Sequence, residues 1–484
     1  MNKNQAKYPL PGHIDIPISV RLNHSWRTYQ KRLQRKNQRK SRGKKFLSVI
    51  LAISVMVFIL YGISTKIGDL SKEHSTKKEE SNAPSAKFMQ EQFAGKKAVQ
   101  KLLEGHSFLN LDKKLFPVMV GETRLWVDTT LDMNLQQYLL KLMNVSHARY
   151  IGIVVMEPES GKILAMVGYD KHDDTNNPCL KSCFPAASIF KIVTAAGAIE
   201  ELGLKKDSPL VYNGGKYTLY KSQLNEQQNK YSHTVTFQKS FAESINPIFG
   251  KLGKFKLKKD FLISYADAFG FNHEIDFELP LQPSHIKVSD EPYNWAELAS
   301  GFNRETSLSP LHAALMISAV LNNGKIPEPV LIEQIFSENG QKIYESHPGM
   351  IQKAVKAETT EVIRQLMEAT ISSGTSRRAF QGYTKDQTLS KLQIGGKTGS
   401  IDNKSRDARI DWFVGFAEEK DGREKIAVSV VVAHQEYIGV RAGTYARMGI
   451  TYHFKNYFAQ KEKMKERAID DTLGFRQACD EKCS

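Results

Sequence analysis

The sequence predicts a mixed α/β (α+β) body, an antiparallel sheet flanked by helices, preceded by one transmembrane helix. Three observations carry this. Two pairs of short apolar runs, each pair split by a turn, stand at opposite ends of a long central region; helical periodicity dominates between them; one uncharged apolar run lies near the N-terminus. With 41% hydrophobic and 25% charged residues over 484 positions, collagen, coiled-coil and multi-span membrane architectures are excluded.

Residues 1–45 hold 13 Lys or Arg and one acidic residue, Asp15, a balance of +12 within a chain total of +16. The basic excess is therefore local, and a nucleic-acid partner is not expected. Phe46 to Ser64 (FLSVILAISVMVFILYGIS) then runs 19 residues without a charge. At ~1.5 Å per residue it crosses a hydrocarbon core of ~30 Å. The basic flank places 1–45 on the cytoplasmic side and the remainder outside, a single-pass anchor with a large extracytoplasmic body. A cleaved signal peptide fits poorly, because the basic segment is too long and no small-residue cleavage site follows.

Residues 65–90 are polar and read as a stalk, and 91–121 as a small packing segment, together the division 65–121. The body is expected over 122–467. Leu131 to Met143 has helical apolar spacing, with Asp128 or Thr129 as a candidate N-cap. Ile151–Met156 and Ile163–Val167 flank the turn EPESG, and Ile410–Phe416 and Lys425–Ala433 flank a turn at Glu418–Gly422. The two hairpins are expected to share one sheet. Helices are expected at Ser188–Leu202, Leu311–Leu321 and Tyr445–Arg467, and 468–484 forms a cysteine-containing tail.

The four cysteines form two pairs of equal spacing, Cys179 with Cys183 and Cys479 with Cys483. Outside the cytoplasm these read as disulfide candidates, either closed within each pair or tying the tail to the first loop. A four-thiolate zinc site and free thiols are the alternatives.

S-x-x-K occurs four times, starting at Ser41, Ser75, Ser188 and Ser284, but only Ser188-Ile189-Phe190-Lys191 opens an apolar helical tract. At i and i+3 the hydroxyl and the amine share one helical face. Surrounded by Ile, Val and Ala, Lys191 is desolvated, which favours a neutral amine able to take the serine's proton, and the helix N-terminus favours a developing oxyanion. Equally, Ser188 could be a plain N-cap and Lys191 a snorkelling core residue. Ser244-Ile245-Asn246 precedes Pro247 and is expected on a tight connection between two helices; Lys397-Thr398-Gly399-Ser400 follows two glycines on a strand. A cation with small hydroxyl residues there suits a carboxylate. A second S-x-N, at Ser337, reads as a turn.

S-x-x-K, S-x-N and K-T-G in this order resemble the transpeptidase domain of penicillin-binding proteins, in the serine acyltransferase superfamily shared with β-lactamases. The tracts VDTTLDMNLQ, VVMEPESGKILAMVG, LSPLHAALMISAVLNNG and DWFVGFAEE extend the likeness over roughly 122–460. The resemblance implies that fold, with an all-helical subdomain. It also implies Ser188 as acylated nucleophile, Lys191 as general base, Ser244 as proton relay and Asn246 as holder of the peptide amide. Lys397 supplies electrostatic pull, Thr398 and Ser400 bind the terminal carboxylate beside Gly399, and the N–H groups of Ser188 and Ser400 form the oxyanion hole. Gly374-Thr375 is a weaker match to the family's Gly-Thr tract and reads equally as a loop. Two departures stand out: Pro185-Ala186-Ala187 where the family commonly has Pro-Gly, and Gly301-Phe302-Asn303-Arg304 where it commonly has Gly-x-Gly.

The implied activity is a monofunctional peptidoglycan D,D-transpeptidase acting on D-Ala-D-Ala stem peptides and acylated by β-lactams. The 65–121 interval is too short for a glycosyltransferase domain, so a separate glycan polymerase or other wall-synthesis protein is the expected partner. No cofactor or metal is implied. A D,D-carboxypeptidase or endopeptidase, a β-lactamase, and a non-enzymatic penicillin sensor or wall-synthesis scaffold are the competing readings.

Overall fold

The computed structural model describes residues 95–480 except 421 and 423. The segments 1–45 and 46–64 lie outside the described residues; among those described, no helix is long and apolar enough to cross a membrane.

The chain enters through α1 (Lys96–Leu102), whose Lys96 reaches Glu328 and the carbonyl of Pro329. The hairpin of β1 (Leu115–Val120) and β2 (Thr123–Thr129) follows, then α2 (Met133–Leu142). The cap of α2 is Asp132, which accepts from the N–H groups of Asn134 and Leu135; Asp128 and Thr129, the expected caps, are strand residues of β2. Next come β3 (Ala148–Met156) and β4 (Ile163–Asp170), then a 3-10 turn at Ala187–Phe190 that runs into α3 (Lys191–Leu202). Gly203 ends α3 in the left-handed conformation, as its position after the apolar tract requires.

The middle of the chain is mostly helical. A hairpin of β5 (Pro209–Asn213) and β6 (Ser232–Thr236) precedes α4 (Phe237–Ala242) and α5 (Asn246–Lys251). A π-helical turn at Leu252–Leu257 leads into α6 (Lys258–Ala268), followed by α7 (Pro292–Ser300) and α8 (Pro310–Leu321). Every residue of α8 is buried, which explains its apolar character all round, and Ser309 caps it ahead of Pro310.

Two strands, β7 (Ile332–Ser337) and β8 (Lys342–Glu345), complete a four-stranded sheet in the order β1-β2-β7-β8. The second S-x-N begins on the last residue of β7, Ser337, and its Glu338 and Asn339 form the β7/β8 turn. After α9 (Ala357–Ser372) come β9 (Leu392–Asp402), β10 (Arg409–Glu419), β11 (Lys425–His434) and the closing helix α10 (Ala442–Asp480), longer than the periodicity predicts.

The central sheet has the order β9-β10-β11-β3-β4 and is antiparallel throughout. Both expected hairpins are therefore in one sheet, joined where β11 pairs with β3. Alternation along the strands divides the core. Ile151, Ile153 and Val155 of β3 pack with Leu135 and Leu139 of α2 and Ile450 and Phe454 of α10, whereas Val154 and Met156 join the cluster containing α8 and α3. Helices cover both faces of the sheet, and β9, one of its two edge strands, packs against the 3-10 turn at Ala187–Phe190 and against α9.

The disulfide expectation for Cys179 and Cys183 is overturned: both are free thiols. Cys179 is fully buried in a turn capped by Asn177, its thiol 3.3 Å from the carbonyl of Val167, and burial pushes its pKa up to about 12. Cys183 lies on the exposed side of the same loop. The side chains of Cys479 and Cys483 lie outside the described residues.

Candidate active site

The 3-10 turn and the first turn of α3 set Ser188 and Lys191 on one face, as the i, i+3 spacing requires. Lys191 is fully buried. Its Nζ lies 2.8 Å from Ser188 Oγ, 2.7 Å from Asn246 Oδ1, and within bonding distance of the Ser300 carbonyl. Asn246 Oδ1 and the Ser300 carbonyl only accept. A neutral amine donates one hydrogen to each and turns its lone pair toward the serine hydroxyl. Burial, reinforced by the charge of Lys397, holds the Lys191 amine well below the ordinary lysine value, so this neutral form is the favoured one.

The S-x-N segment is the connection between α4 and α5, as expected. Ser244 adopts φ 56°, a left-handed conformation uncommon for a residue with a side chain. The hydrogen bond from Ser244 N–H to the Phe241 carbonyl, 3.0 Å, closes this turn and directs Oγ at Lys397 Nζ, 2.9 Å away. Asn246 is fixed from outside the helix as well: its N–H donates to the Lys216 carbonyl at 2.7 Å, and Nδ2 to the Tyr217 carbonyl at 3.0 Å.

Lys397 is fully buried on β9, and burial brings its amine down to about 7. The strand passes close to the serine turn because Gly399 has no side chain: a Cβ there would sit 3.2 Å from that of Ala187. Thr398 Oγ1 lies 2.5 Å from Thr375 Oγ1, so the Gly-Thr loop does reach the site. Ser400 Oγ accepts from Arg409 Nε at 2.9 Å, and Arg409 Nη1 is held by Asp402 at 3.0 Å. With its lone pair so engaged, the Ser400 hydroxyl is left to donate into the cleft.

Two buried lysines thus face two serines across a cleft of about 360 Å³, lined by Ser188, Ser244, Asn246, Thr398 and Ser400 with Tyr217, Phe302 and Arg304 at its rim. A larger hollow of about 530 Å³ beside Arg377 and Arg378 holds none of these groups. The arrangement can deprotonate a serine hydroxyl next to a fixed cation and donors suited to a carboxylate.

Several contributors were not singled out as site residues in the sequence. Ser300 supplies a carbonyl, which no motif marks. Arg409 and Asp402 meet only because β9 and β10 pair in register. Gly301 was noted only as part of a departure from the family pattern; it has φ 65°, and a Cβ there would overlap the carbonyl oxygen of Ala187. Its position directly after α7 was the available signal. Ala187 itself has φ 49°, the conformation that glycine adopts freely, so the Pro-Ala-Ala departure keeps the turn at a steric cost of ~1–2 kcal/mol. Trp412 Nε1 donates to the Pro185 carbonyl at 2.9 Å and ties this strained turn to β10.

The family model for the penicillin binding protein transpeptidase domain matches residues 151–449. Stage V sporulation protein D of Bacillus subtilis is 27% identical over 327 residues, covering 62% of this chain and 49% of that protein. Peptidoglycan D,D-transpeptidase PbpA of Mycolicibacterium smegmatis is 26% identical, covering 63% of this chain and 67% of the relative. The chain therefore spans about half to two thirds of the length of these relatives. Among solved structures, the D,D-transpeptidase domain of a peptidoglycan glycosyltransferase from Eggerthella lenta superposes with TM-score 0.56 at 25% identity, covering 68% of this chain and 83% of that one. Penicillin-binding protein A of Mycobacterium tuberculosis, as its penicillin G acyl-enzyme complex, shares the fold with TM-score 0.54 at 22% identity, covering 67% of this chain and 79% of that one.

Proposed function

We propose, from the premise that the chain belongs to the penicillin-binding protein transpeptidase family, that it is a peptidoglycan D,D-transpeptidase acylated by β-lactams at Ser188. The observation that carries this is the placement of the Lys191 amine between Ser188 Oγ and two pure acceptors.

In this reading Lys191 takes the Ser188 proton as Oγ attacks the carbonyl of the penultimate D-Ala. The N–H groups of Ser188 and Ser400 stabilise the oxyanion. Thr398 and Ser400 hold the terminal carboxylate under the electrostatic pull of Lys397, Gly399 lets β9 close on the turn that carries Ser188, and Asn246 holds the peptide amide. Ser244 relays the proton to the departing D-Ala amine, and the acyl group then passes to the amine of a neighbouring stem, restoring Ser188. Asp402, the carboxylate that lines the cleft among the described residues, is engaged by Arg409, which disfavours it as a base for the rapid deacylation that a β-lactamase needs.

Residues 46–64 anchor the chain in the cytoplasmic membrane, with 1–45 inside and 65–121 leading to an extracytoplasmic domain over 122–467 that has a helical subdomain. Glycan strands come from a separate polymerase.

The test is incubation of the full chain with a donor peptide ending in D-Ala-D-Ala and an amine acceptor. Release of D-Ala with formation of the amide product supports transfer. Release with only the shortened acid assigns a D,D-carboxypeptidase, and no release with the protein folded contradicts the enzymatic reading.

The two lysines also set a pH dependence. The second-order rate of acylation by a penicillin should rise with pH as Lys191 loses its proton, then fall as Lys397 loses its own near pH 7. At saturating penicillin the falling limb should move to higher pH, because the bound carboxylate stabilises the Lys397 ammonium. Stability follows a different rule. Since the Lys397 amine is at about 7 in the fold against an ordinary 10.5, the unfolded chain binds the extra proton between these values, and stability should climb with pH across that window. Rate profiles at low and saturating drug, with thermal melts across the same range, check both.

A further inference from the structure

The surface on the Asn246 side of the cleft has a composition that the acyl-transfer chemistry does not use. Residues 205–259 contain 11 lysines against Asp207, Glu226 and Glu243, a balance of +8. The chain total is +16, of which 1–45 hold +12, so everything outside these two segments sums to −4. Positive charge in the body is thus concentrated in a single excursion, built from β5, β6, α4, α5 and the π-helical turn.

The charge is largely unneutralised. Lys216 pairs with Glu243 and Lys259 with Asp290, whereas Lys221, Lys230, Lys239, Lys256 and Lys258 are exposed and make no ion pair among the described residues. Aromatic rings are interleaved with them. Tyr217, Tyr220 and Tyr231 are 63%, 64% and 61% exposed, and each is next to a lysine in sequence, at Lys216, Lys221 and Lys230. Three such rings fall within one segment of fifteen residues, and tyrosine offers a flat apolar face with a polar edge.

The excursion is held in a defined shape. Asn213 Nδ2 donates to the carbonyls of Asn225 and Gln227, and Gln223 Nε2 to those of Asn213 and Gly215. A groove of about 230 Å³ runs between its hairpin and α5, with Glu226, Gln228, Lys251 and Lys256 on its walls. At its other end Tyr217 lines the cleft, and its carbonyl holds Asn246. The short helix α5 joins the two, with Asn246 in the cleft at its start and Ile248 and Lys251 in the groove further on.

We infer that the lysine and tyrosine excursion 205–259 is a docking surface for the anionic glycan-peptide strand whose stem peptide enters the cleft. The inference rests on the transpeptidase reading, which supplies the strand. Stem peptides ending in free carboxylates give the polymer repeated negative charge for the lysines, and its sugar rings present flat C–H faces to the tyrosines. A strand held there raises the local concentration of stem peptides at Ser188 without a new contact in the cleft.

The test compares the full chain in detergent with the variant Lys221→Gln/Lys230→Gln/Lys256→Gln/Tyr231→Ala, which leaves every cleft residue in place. Co-sedimentation with purified peptidoglycan is expected to weaken about tenfold in the variant, and wild-type binding to decline with salt. Acylation of both proteins by a penicillin, a ligand too small to reach the groove, should proceed at the same rate and also reports that the variant is folded. The segment 1–45 is common to both proteins, so the difference between them isolates the excursion. Equal sedimentation of the two proteins overturns the inference, as does a loss seen on vesicles of anionic phospholipid and not on peptidoglycan. A wild-type chain that shows the sedimentation difference but takes no penicillin would keep the surface and overturn the enzymatic reading.

Discussion

With Lys191 replaced by methionine, acylation of Ser188 by a penicillin is expected to slow by at least about 10³-fold while the protein stays folded. Methionine fills nearly the same volume and has no basic nitrogen, so the substitution removes the proton acceptor 2.8 Å from Ser188 Oγ and little packing. It also strips Asn246 Oδ1 and the buried Ser300 carbonyl of a donor, at a cost of ~1–3 kcal/mol for a buried group left unpaired. Removing the need to bury an amine offsets part of that cost, so the melting temperature should change by only a few degrees. The adduct time course by intact mass, with circular dichroism as a check on folding, measures both quantities. A variant that acylates within tenfold of wild type would show that some other group takes the proton.

The second large effect falls on a residue with no chemistry. Gly301→Ala should destabilise the protein by roughly 3–5 kcal/mol, because a left-handed residue gains a side chain where the Ala187 carbonyl and the Ser188 nitrogen already lie. The only relief is to push away the turn that carries Ser188. What folds should therefore acylate slowly even at low temperature, since the Ser188 N–H belongs to the proposed oxyanion hole. Gly203→Ala is the control: its φ is similar, at 63°, but nothing lies within 4 Å of its Cβ, so it should lose only the backbone term of ~1–2 kcal/mol and keep its acylation rate. Denaturant melts and acylation rates of the pair separate backbone strain from the steric collision.

Much of this architecture was legible in local sequence. The two hairpins were visible as apolar runs around turns, and α3, α5 and β9 as contexts that singled out one S-x-x-K, one S-x-N and one K-T-G. These signals are local, set by spacings of three to ten residues. The elements that were missed depend on partners far away in the chain. Asp128 and Thr129 had the composition of a helix cap, but their segment pairs with Ile332–Ser337, some two hundred positions on, and Asp132 takes the cap instead. The joining of the four-stranded sheet depends on that same remote pairing, whereas its two hairpins, β1/β2 and β7/β8, are local and were missed because their short strands are half-exposed and carry little apolar alternation. Cys179 and Cys183 have the spacing of a local disulfide, yet the first is drawn into the core beside the Val167 carbonyl while the second remains at the surface. Ser300, Gly301, Asp402 and Arg409 complete the site through a backbone carbonyl, a missing Cβ and a strand register, none of which a motif records. The same is true of Ala187, whose left-handed backbone becomes apparent only once its departure from glycine is set beside its φ.

Intact-mass spectrometry of the full chain with a penicillin, run beside Ser188→Ala, tests the central claim most directly. A persistent gain of one drug mass on the wild type, mapped to Ser188 and absent from the variant, is the predicted result. An adduct on both proteins, or on neither while the wild type is folded, would contradict the assignment of Ser188 as the acylated residue.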